Sequence, residues 1–346
     1  MYYLKYRPKT ISEIDNSRVK DFVKKILSAA DMPHALLFVG QKGTGKTSTA
    51  RIFAKAVNCL KNKYAGEGNG LEPCNVCDNC LAIDNSSFTD VIEMDAASNR
   101  GIEEVKNLIK ETAFLPMAGR YRVFIIDEAH MITPDGFNAL LKTLEEPPKS
   151  AIFILATTNP EKLPKTIISR CIKVNFGKAN HSDIETMLKR IADSEKIKID
   201  QSILSLIAAH SDDSFRDAAK IFEEIIIQKI ATPEGVEKFI GTLGRNDLLK
   251  TIEEGDEKRS FSWIAEFSGT GGDFKILIES MLAVLHDLLL IKKGVYEDKK
   301  LTTKLTSKEI SRLIKLLLEA YKMQKNTPVE SLPLEIAITE FYNDKS

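Results

Sequence analysis

The residues whose types and spacing point most directly to chemistry form the segment Gly40-Gln41-Lys42-Gly43-Thr44-Gly45-Lys46-Thr47. Its pattern, G-x-x-x-x-G-K-[ST], is that of a phosphate-binding loop, which holds its ligand on backbone N–H groups and one lysine. In such a loop Lys46 neutralises the β- and γ-phosphates, and the Thr47 hydroxyl supplies an oxygen ligand to Mg²⁺. The alternative is a glycine-rich turn that binds nothing. The segment predicts a site for ATP and Mg²⁺.

The elements on either side of this loop favour the ligand-binding interpretation. The apolar run Ala35-Leu36-Leu37-Phe38-Val39 is typical of a buried parallel strand that ends at Gly40. The residues from Thr47 to Val57 contain no helix breaker and predict a helix. Strand, loop and helix in this order point several N–H groups and the positive end of the helix dipole at one place. This arrangement suits a phosphate.

Two acidic residues end another apolar run, Arg122-Val123-Phe124-Ile125-Ile126. Asp127 at the strand end is placed to hold Mg²⁺ through water, and Glu128 is placed to polarise the attacking water. The alternative is a solvated strand end with no catalytic role. The four residues from Asp127 to His130 also spell the signature of a helicase group, but that function requires a second motor domain, for which the helical remainder predicts no strands. The acids therefore predict ATP hydrolysis.

Three polar segments further along the chain are additional candidates. Thr157-Thr158-Asn159 follows the predicted strand 151–155, where side chains would face the carboxyl edge of the sheet and the γ-phosphate. Ser169-Arg170-Cys171 precedes the last predicted strand, and Ser214-Phe215-Arg216-Asp217 begins a helix. For each arginine, an ordinary surface position is the alternative.

Four of the five cysteines are clustered, at Cys59, Cys74, Cys77 and Cys80. The spacing C-x₁₄-C-x₂-C-x₂-C is compatible with a closed tetrahedral zinc site that leaves no open position for catalysis. Disulfides are not expected in the cytosol, where the composition places this chain. Free cysteines are the alternative. The cluster predicts a structural Zn²⁺ in an insertion at residues 59–80.

The composition excludes several classes of function. The chain has 49 Lys and Arg residues against 49 Asp and Glu residues, so any nucleic-acid site must be a local patch. The amino terminus has no apolar core of a signal peptide, and charged residues interrupt the most apolar segment, 274–291. We expect a cytoplasmic protein with no membrane partner.

The order of the predicted elements indicates the fold class. Strand-like runs at residues 35–39, 91–94, 122–126, 151–155 and 172–174 alternate with helical segments, which argues for a parallel sheet covered by helices on both faces. From about Ser182 only helical patterns follow. We expect an α/β nucleotide-binding domain at residues 1–178, a small helical domain at 179–243 and an all-helical domain at 244–346.

Taken together, these residues resemble those of the gamma/tau-subunit family of bacterial DNA polymerase III. That family provides the AAA+ ATPase motor of the sliding-clamp loader. The resemblance rests on Tyr6-Arg7-Pro8-Lys9-Thr10, the phosphate loop, the four cysteines, residues 137–148, residues 155–171 and Pro333-Leu334-Glu335-Ile336-Ala337. It covers nearly the whole chain. Asp15-Asn16 departs from the family pattern, in which Gly-Gln is usual, and this affects the expected adenine pocket.

The resemblance implies roles for further residues. Thr158 would be sensor 1, Arg216 the sensor 2 arginine of the lid domain, and Arg170 an arginine finger that reaches the ATP of a neighbouring subunit. Arg7 and Pro8 would belong to the nucleotide site with the phosphate loop. Primer–template DNA would contact three basic residues, Arg100, Lys106 and Lys162.

The resemblance also implies partners. A five-subunit ring would contain delta, delta-prime and further gamma/tau copies, joined by a helical collar at residues 244–346, and would act on the beta sliding clamp and primed DNA. Two alternatives within the loader remain: a stator of the delta-prime type that does not hydrolyse ATP, and a scaffold like the tau form. We find no polymerase active site in the sequence.

Overall fold

A computed structural model describes residues 1–29, 31–66, 70–99, 101–230, 232–240, 242–269, 273–295, 302–324 and 327–343. The chain forms two compact units, residues 1–228 and residues 229–346. The expected three-domain division, with boundaries at residues 178 and 243, stays a prediction. Within the described residues, no helix is long and apolar enough to cross a membrane.

A five-stranded parallel sheet organises the first unit, in the order β2-β3-β4-β1-β5. Its strands are β1 Ala35–Gly40, β2 Val91–Asp95, β3 Arg122–Asp127, β4 Ala151–Thr157 and β5 Ile172–Gly177. Every residue of the two neighbouring strands β1 and β4 is buried. This burial on both faces explains the continuous apolar runs in the sequence, and the predicted parallel sheet is confirmed.

Ten helices accompany this sheet in the described part of the first unit. They are α1 Tyr2–Lys5, α2 Ser17–Ser28, α3 Lys46–Asn58, α4 Asp78–Asp84, α5 Ile102–Thr112, α6 Pro134–Glu145, α7 Lys165–Ile168, α8 His181–Ser194, α9 Gln201–Ala209 and α10 Phe215–Ile227. Side chains of α2 and α3 pack with Phe38 on one face of the sheet. Those of α5 and α6 pack with Leu37 on the other face, because successive strand residues point to opposite sides.

Local signals account for where several of these helices begin. The Asn16 side chain accepts a hydrogen bond from the Val19 N–H and caps α2, while Ser214 caps α10 by accepting from the Asp217 N–H. The helically spaced apolar residues Val19, Val23, Ile26 and Leu27 of α2 are buried, and Phe22 is 37% exposed; Ala30 lies outside the described residues.

The described part of the second unit is helical, as the sequence predicted from Ser182 onwards. Its helices are α11 Pro233–Ile240, α12 Thr242–Glu254, α13 Glu257–Gly269, α14 Phe274–Lys292, α15 Ser307–Met323 and α16 Leu332–Asn343. The sequence Thr306-x-x-Glu309 forms a capping box at the start of α15. The apolar helix α14 is buried along one face and exposes Ile276 (46%) on another within this unit.

Candidate nucleotide and metal sites

The phosphate loop connects the end of β1 with the first turn of α3. Gly43 (φ 81°) and Gly45 (φ 93°) have left-handed backbone conformations that only glycine adopts without strain. A Cβ atom on Gly43 would also lie 2.0 Å from the Ser214 hydroxyl oxygen. The glycine spacing seen in the sequence therefore serves both the loop conformation and the close approach of the α10 N-terminus.

Lys46 lies in this loop and is only 6% exposed. Its ammonium group donates to the carbonyl oxygens of Gly40 (2.9 Å) and Gln41 (2.8 Å), which are neutral partners. Burial lowers the pKa of Lys46, although Glu128 and Asp127 act in the opposite direction. A buried cation with neutral partners favours an anionic ligand, and a triphosphate would supply it.

Two predicted magnesium ligands meet directly beside the loop. The Thr47 hydroxyl donates to Oδ2 of Asp127 at 2.6 Å, and Oδ1 of Asp127 accepts from the Glu128 N–H at 2.9 Å. Thr47 lies in the first turn of α3 and Asp127 ends β3, so the parallel sheet brings these distant residues together. Hydroxyl and carboxylate oxygens are the donors that Mg²⁺ prefers, and the pair fits that ion.

Glu128 contacts two polar side chains, one directly after β4 and one two residues further along its own turn. Its backbone is left-handed (φ 47°), and its Oε2 atom accepts a hydrogen bond from the Thr158 hydroxyl at 3.2 Å. The His130 Nδ1 atom lies 3.4 Å from the same oxygen and 3.1 Å from the Thr157 hydroxyl. The sequence indicated Thr158, but gave no reason to separate His130 from an ordinary structural histidine. Its short distance in sequence from Asp127 was the only available signal.

A cavity of about 510 Å³ joins the loop to α8, α10 and the amino-terminal segment. Predicted site residues that line it are Arg7, Pro8, Lys42, Gly43, Thr44, Gly45, Lys46, Thr47, Asp127, Glu128 and Arg216. Burial and the positive charges of Arg51 and Arg216 lower the pKa of Arg7. The Arg216 guanidinium lies 5.9 Å from the centre of the Tyr3 ring. This concentration of positive charge fits a polyanion such as ATP.

Arg170 is not among the residues that line this cavity. It donates to Oε1 of Glu145 at 2.5 Å and to the Thr166 carbonyl at 2.7 Å, and its side chain is one-third exposed. The arginine thus takes no part in the nucleotide cavity of its own described chain. Its assignment as a finger stays a prediction.

The unusual pair Asp15-Asn16 has two different environments. Asn16 is buried, caps α2 and donates to the Phe176 carbonyl at 2.9 Å, so its role is structural. Both residues line the cavity, and Asp15 accepts a hydrogen bond from Arg190 at 2.7 Å. The sequence marked this pair as a departure, but not that Asn16 caps a helix while Asp15 pairs with an arginine of α8.

The four predicted zinc ligands converge at the carboxyl end of α3. The sulfur atoms of Cys59, Cys74, Cys77 and Cys80 all lie within 4.8 Å of one another. Four thiolates at about 2.3 Å from a tetrahedral Zn²⁺ would stand about 3.8 Å apart, so a small contraction closes the site. The residues fit the metal.

Backbone donors around the sulfur atoms support the same assignment. Cys59 Sγ accepts from the N–H groups of Lys61 and Cys74, and Cys74 Sγ accepts from Cys77 N–H at 3.3 Å. Burial alone would raise the pKa of Cys74, but N–H donors from Val76 and Cys77 bring it to about 7. Such donors stabilise a thiolate, the form that binds metal.

The three DNA contacts stay predictions. Lys106 is exposed and pairs with Glu103 at 3.4 Å, and Lys162 is exposed at the end of a short turn. Arg100 lies outside the described residues.

Comparison with known proteins finds similarity to subunits of DNA polymerase III. A family model described as DNA polymerase III, delta subunit, matches residues 15–179. The Bacillus subtilis DNA polymerase III subunit tau is 35% identical over 98% of this chain, which spans 62% of that relative's length. The fold is similar to the Thermotoga maritima RuvB Holliday junction branch migration motor, with a TM-score of 0.50 over 71% of this chain and 79% of the other, at 20% identity. That likeness shows the fold alone: a parallel sheet with its flanking helices.

A shorter relative is matched over most of its length. The DNA polymerase III subunit gamma of Buchnera aphidicola subsp. Baizongia pistaciae is 35% identical over 83% of this chain and 78% of its own. With the phosphate loop, the two acids and the cysteine cluster in place, this match settles the family. The chain belongs to the family of DNA polymerase III gamma and tau subunits.

Proposed function

We propose that this chain is an ATP-hydrolysing motor subunit of the DNA polymerase III clamp loader, which loads the sliding clamp onto primed DNA. The observation that carries the proposal is the convergence of Lys46, Arg7 and Arg216 with Asp127 and Glu128 on one cavity. Membership of the gamma/tau family supplies the process. As a DNA replication protein of bacterial type, the chain would act in the cytoplasm.

Each side chain has a defined task toward Mg-ATP, whose phosphoanhydride bond is the one to be broken. The loop N–H groups and Lys46 hold the β- and γ-phosphates, and Arg216 neutralises charge from the α10 side. Thr47 and Asp127 would hold the magnesium ion, which would neutralise charge on the β- and γ-phosphates. Glu128 accepts a proton from the attacking water, and Thr158 orients the Glu128 carboxylate through the hydrogen bond at 3.2 Å.

Partners follow from the family rather than from contacts in this chain. The proposed assembly is a five-subunit ring with delta, delta-prime and further gamma/tau copies, joined through a collar at residues 244–346. The ring closes on the beta clamp when ATP binds and releases it when DNA triggers hydrolysis. The chain would enter the DNA polymerase III holoenzyme without a polymerase site of its own.

We expect the purified chain to bind ATP and hydrolyse it slowly, and the assembled loader to be stimulated by clamp and primed DNA. Steady-state ATPase measurements with and without each partner test this. A stator of the delta-prime type would give no hydrolysis in any mixture. A scaffold of the tau type would bind polymerase or helicase without ATP and would show no ATP hydrolysis in any mixture. Either result would replace the proposed function.

We further propose a structural zinc at the cysteine cluster, held by Cys59, Cys74, Cys77 and Cys80. The cluster is tied to the carboxyl end of α3: Cys59 follows the helix, and Asn79 donates to the Asn58 carbonyl at 2.9 Å. The phosphate loop lies at the other end, about 18 Å away by the rise of the helix. Zinc would therefore stabilise the fold without taking part in hydrolysis.

Cys77→Ser is expected to lower the Tm by at least ~5 °C, since a structural zinc site contributes folding free energy directly. Nucleotide affinity should stay close to that of the wild type because the phosphate loop is remote. Metal analysis of the wild type should find about one Zn²⁺ per chain. Cys171→Ser is the matched control, because Cys171 lies outside the cluster, and it should keep the zinc. A metal-free wild type with an unchanged Tm in Cys77→Ser would contradict the assignment.

A further inference from the structure

We propose that Asp15 selects the base of the nucleotide: one of its carboxylate oxygens accepts a hydrogen bond from the 6-amino group of adenine. This inference rests on the proposed ATP site and names the residue that makes the site specific for adenine. It concerns a position at which the chain departs from its family pattern.

The cavity has two chemically different ends. The phosphate loop, Lys46 and the arginines supply the charged end. The rest of the lining includes apolar side chains from the segment before α2 and from helices α8 and α10, namely Ile14, Met187, Ile191, Phe215 and Ala219. Apolar walls of this kind suit the faces of a purine ring, and a few polar groups then fix its orientation. The triphosphate on the loop therefore directs the base to the Asp15 end.

Asp15 presents one unused oxygen to this space. Its side chain is only 12% exposed, and its Oδ1 accepts from Arg190 at 2.7 Å. In the described part of the chain Oδ2 has no hydrogen-bond partner. It is not one of the polar atoms that are both unpartnered and fully buried. Because the residue is otherwise buried and lines the cavity, Oδ2 opens into the cavity.

Two neighbouring polar side chains already have partners. The Asn16 amide oxygen accepts from the Val19 N–H and its nitrogen donates to the Phe176 carbonyl, while the Tyr6 hydroxyl donates to Glu195. The remaining Asn16 N–H can only donate, so it cannot accept from the 6-amino group. Burial raises the pKa of Asp15 to about 6 despite the nearby charge of Arg190, so the group is a carboxylate at pH 8. An ionised carboxylate can only accept hydrogen bonds.

This chemistry discriminates between purines. Adenine carries an amino donor at position 6, whereas hypoxanthine and guanine carry an oxo group there, which would face the carboxylate as a second acceptor. Asp15 thus attracts the amino group and repels the oxo group, and a site that uses both effects is more selective than one that uses attraction alone.

The test removes the two partners of the hydrogen bond separately and together. Affinities of the full chain for ATP and for purine riboside triphosphate, which lacks the 6-amino group, are measured at pH 8 with Mg²⁺. We expect the wild type to lose at least ~10-fold on removal of the amino group, as for a hydrogen bond to a charged partner. Asp15→Ala should bind both nucleotides within about 2-fold of each other.

Arg190→Gln is the matched control, since it breaks the same ion pair but keeps the carboxylate. It should retain most of the preference for ATP. The proposal is wrong if Asp15→Ala keeps the wild-type preference for ATP, or if Asp15→Ala and Arg190→Gln lose that preference equally. In either case the ion pair only holds α8 against the segment before α2. If the wild type binds neither nucleotide, the proposed ATPase function fails as well.

Asp15→Asn provides a second route if the alanine variant does not fold. Its amide is close to isosteric with the carboxylate and can also donate, so it can pair with a 6-oxo group. We expect the affinity for inosine triphosphate relative to ATP to rise at least ~5-fold over the wild type. An unchanged ratio would overturn the inference.

Discussion

Arg170→Ala is expected to lower the stimulated ATPase rate of the assembled loader by ~10³–10⁵-fold while ATP binding and folding stay close to those of the wild type. An arginine finger neutralises charge that develops on the γ-phosphate in the transition state, and this is its typical effect on rate. Arg170 does not line the cavity of its own chain, so any such effect must act on a neighbouring subunit. The measurement is steady-state ATP hydrolysis with partner subunits, clamp and primed DNA.

The ion pair with Glu145 offers a competing role for Arg170. In that role the loss of Arg170 would lower the stability of its own domain and not the rate of ATP hydrolysis. Both side chains are partly exposed, at 33% and 47%, and an ion pair of this kind stabilises a fold by at most about 1 kcal/mol. Glu145→Gln breaks the same pair and leaves the arginine in place. It should therefore assemble and hydrolyse ATP like the wild type. An equal loss of activity in both variants would assign Arg170 to the structure of its own domain.

Mixing two inactive variants separates action within a subunit from action between subunits. A Lys46→Ala chain should not hold ATP but still carries Arg170, whereas an Arg170→Ala chain has an intact phosphate loop. Assemblies that contain both should recover part of the ATPase activity. No recovery, although both variants assemble, would show that Arg170 does not act on a neighbour.

Glu128→Gln is expected to bind ATP with near-normal affinity and to hydrolyse it at least ~100-fold more slowly. The amide keeps the shape of the side chain and can still accept from the Thr158 hydroxyl, but it cannot take a proton from water. Nucleotide affinity and single-turnover hydrolysis, measured on the same preparation, separate the two steps.

Lys46→Ala is the contrasting control for this experiment. It removes the cation of the phosphate loop, so binding itself should be lost, and hydrolysis with it. Hydrolysis by Glu128→Gln at the wild-type rate would contradict the role of Glu128 as the general base. A loss of binding in Glu128→Gln would instead indicate that the carboxylate supports the loop.

The sequence by itself determined the features that depend on neighbouring residues. The run 35–39 became β1, the loop glycines adopted left-handed conformations, and Thr306 with Glu309 formed the capping box. Strand burial, loop conformation and helix capping are set within a few residues by sterics and local hydrogen bonds, so their patterns are visible without the fold. The same is true of the alternation that predicted the parallel sheet.

Only the tertiary structure decided which distant side chains meet. It joined Thr47 to Asp127, brought the Thr158 hydroxyl to Glu128, and paired Asp15 with Arg190 at the cavity. These contacts depend on how strands are ordered in the sheet and how helices pack on it, and one residue of difference in register or helix rotation changes them. Spacing along the chain carries no record of such distances, which is why the sequence marked the pair Asp15-Asn16 but could not distinguish the role of one residue from that of the other.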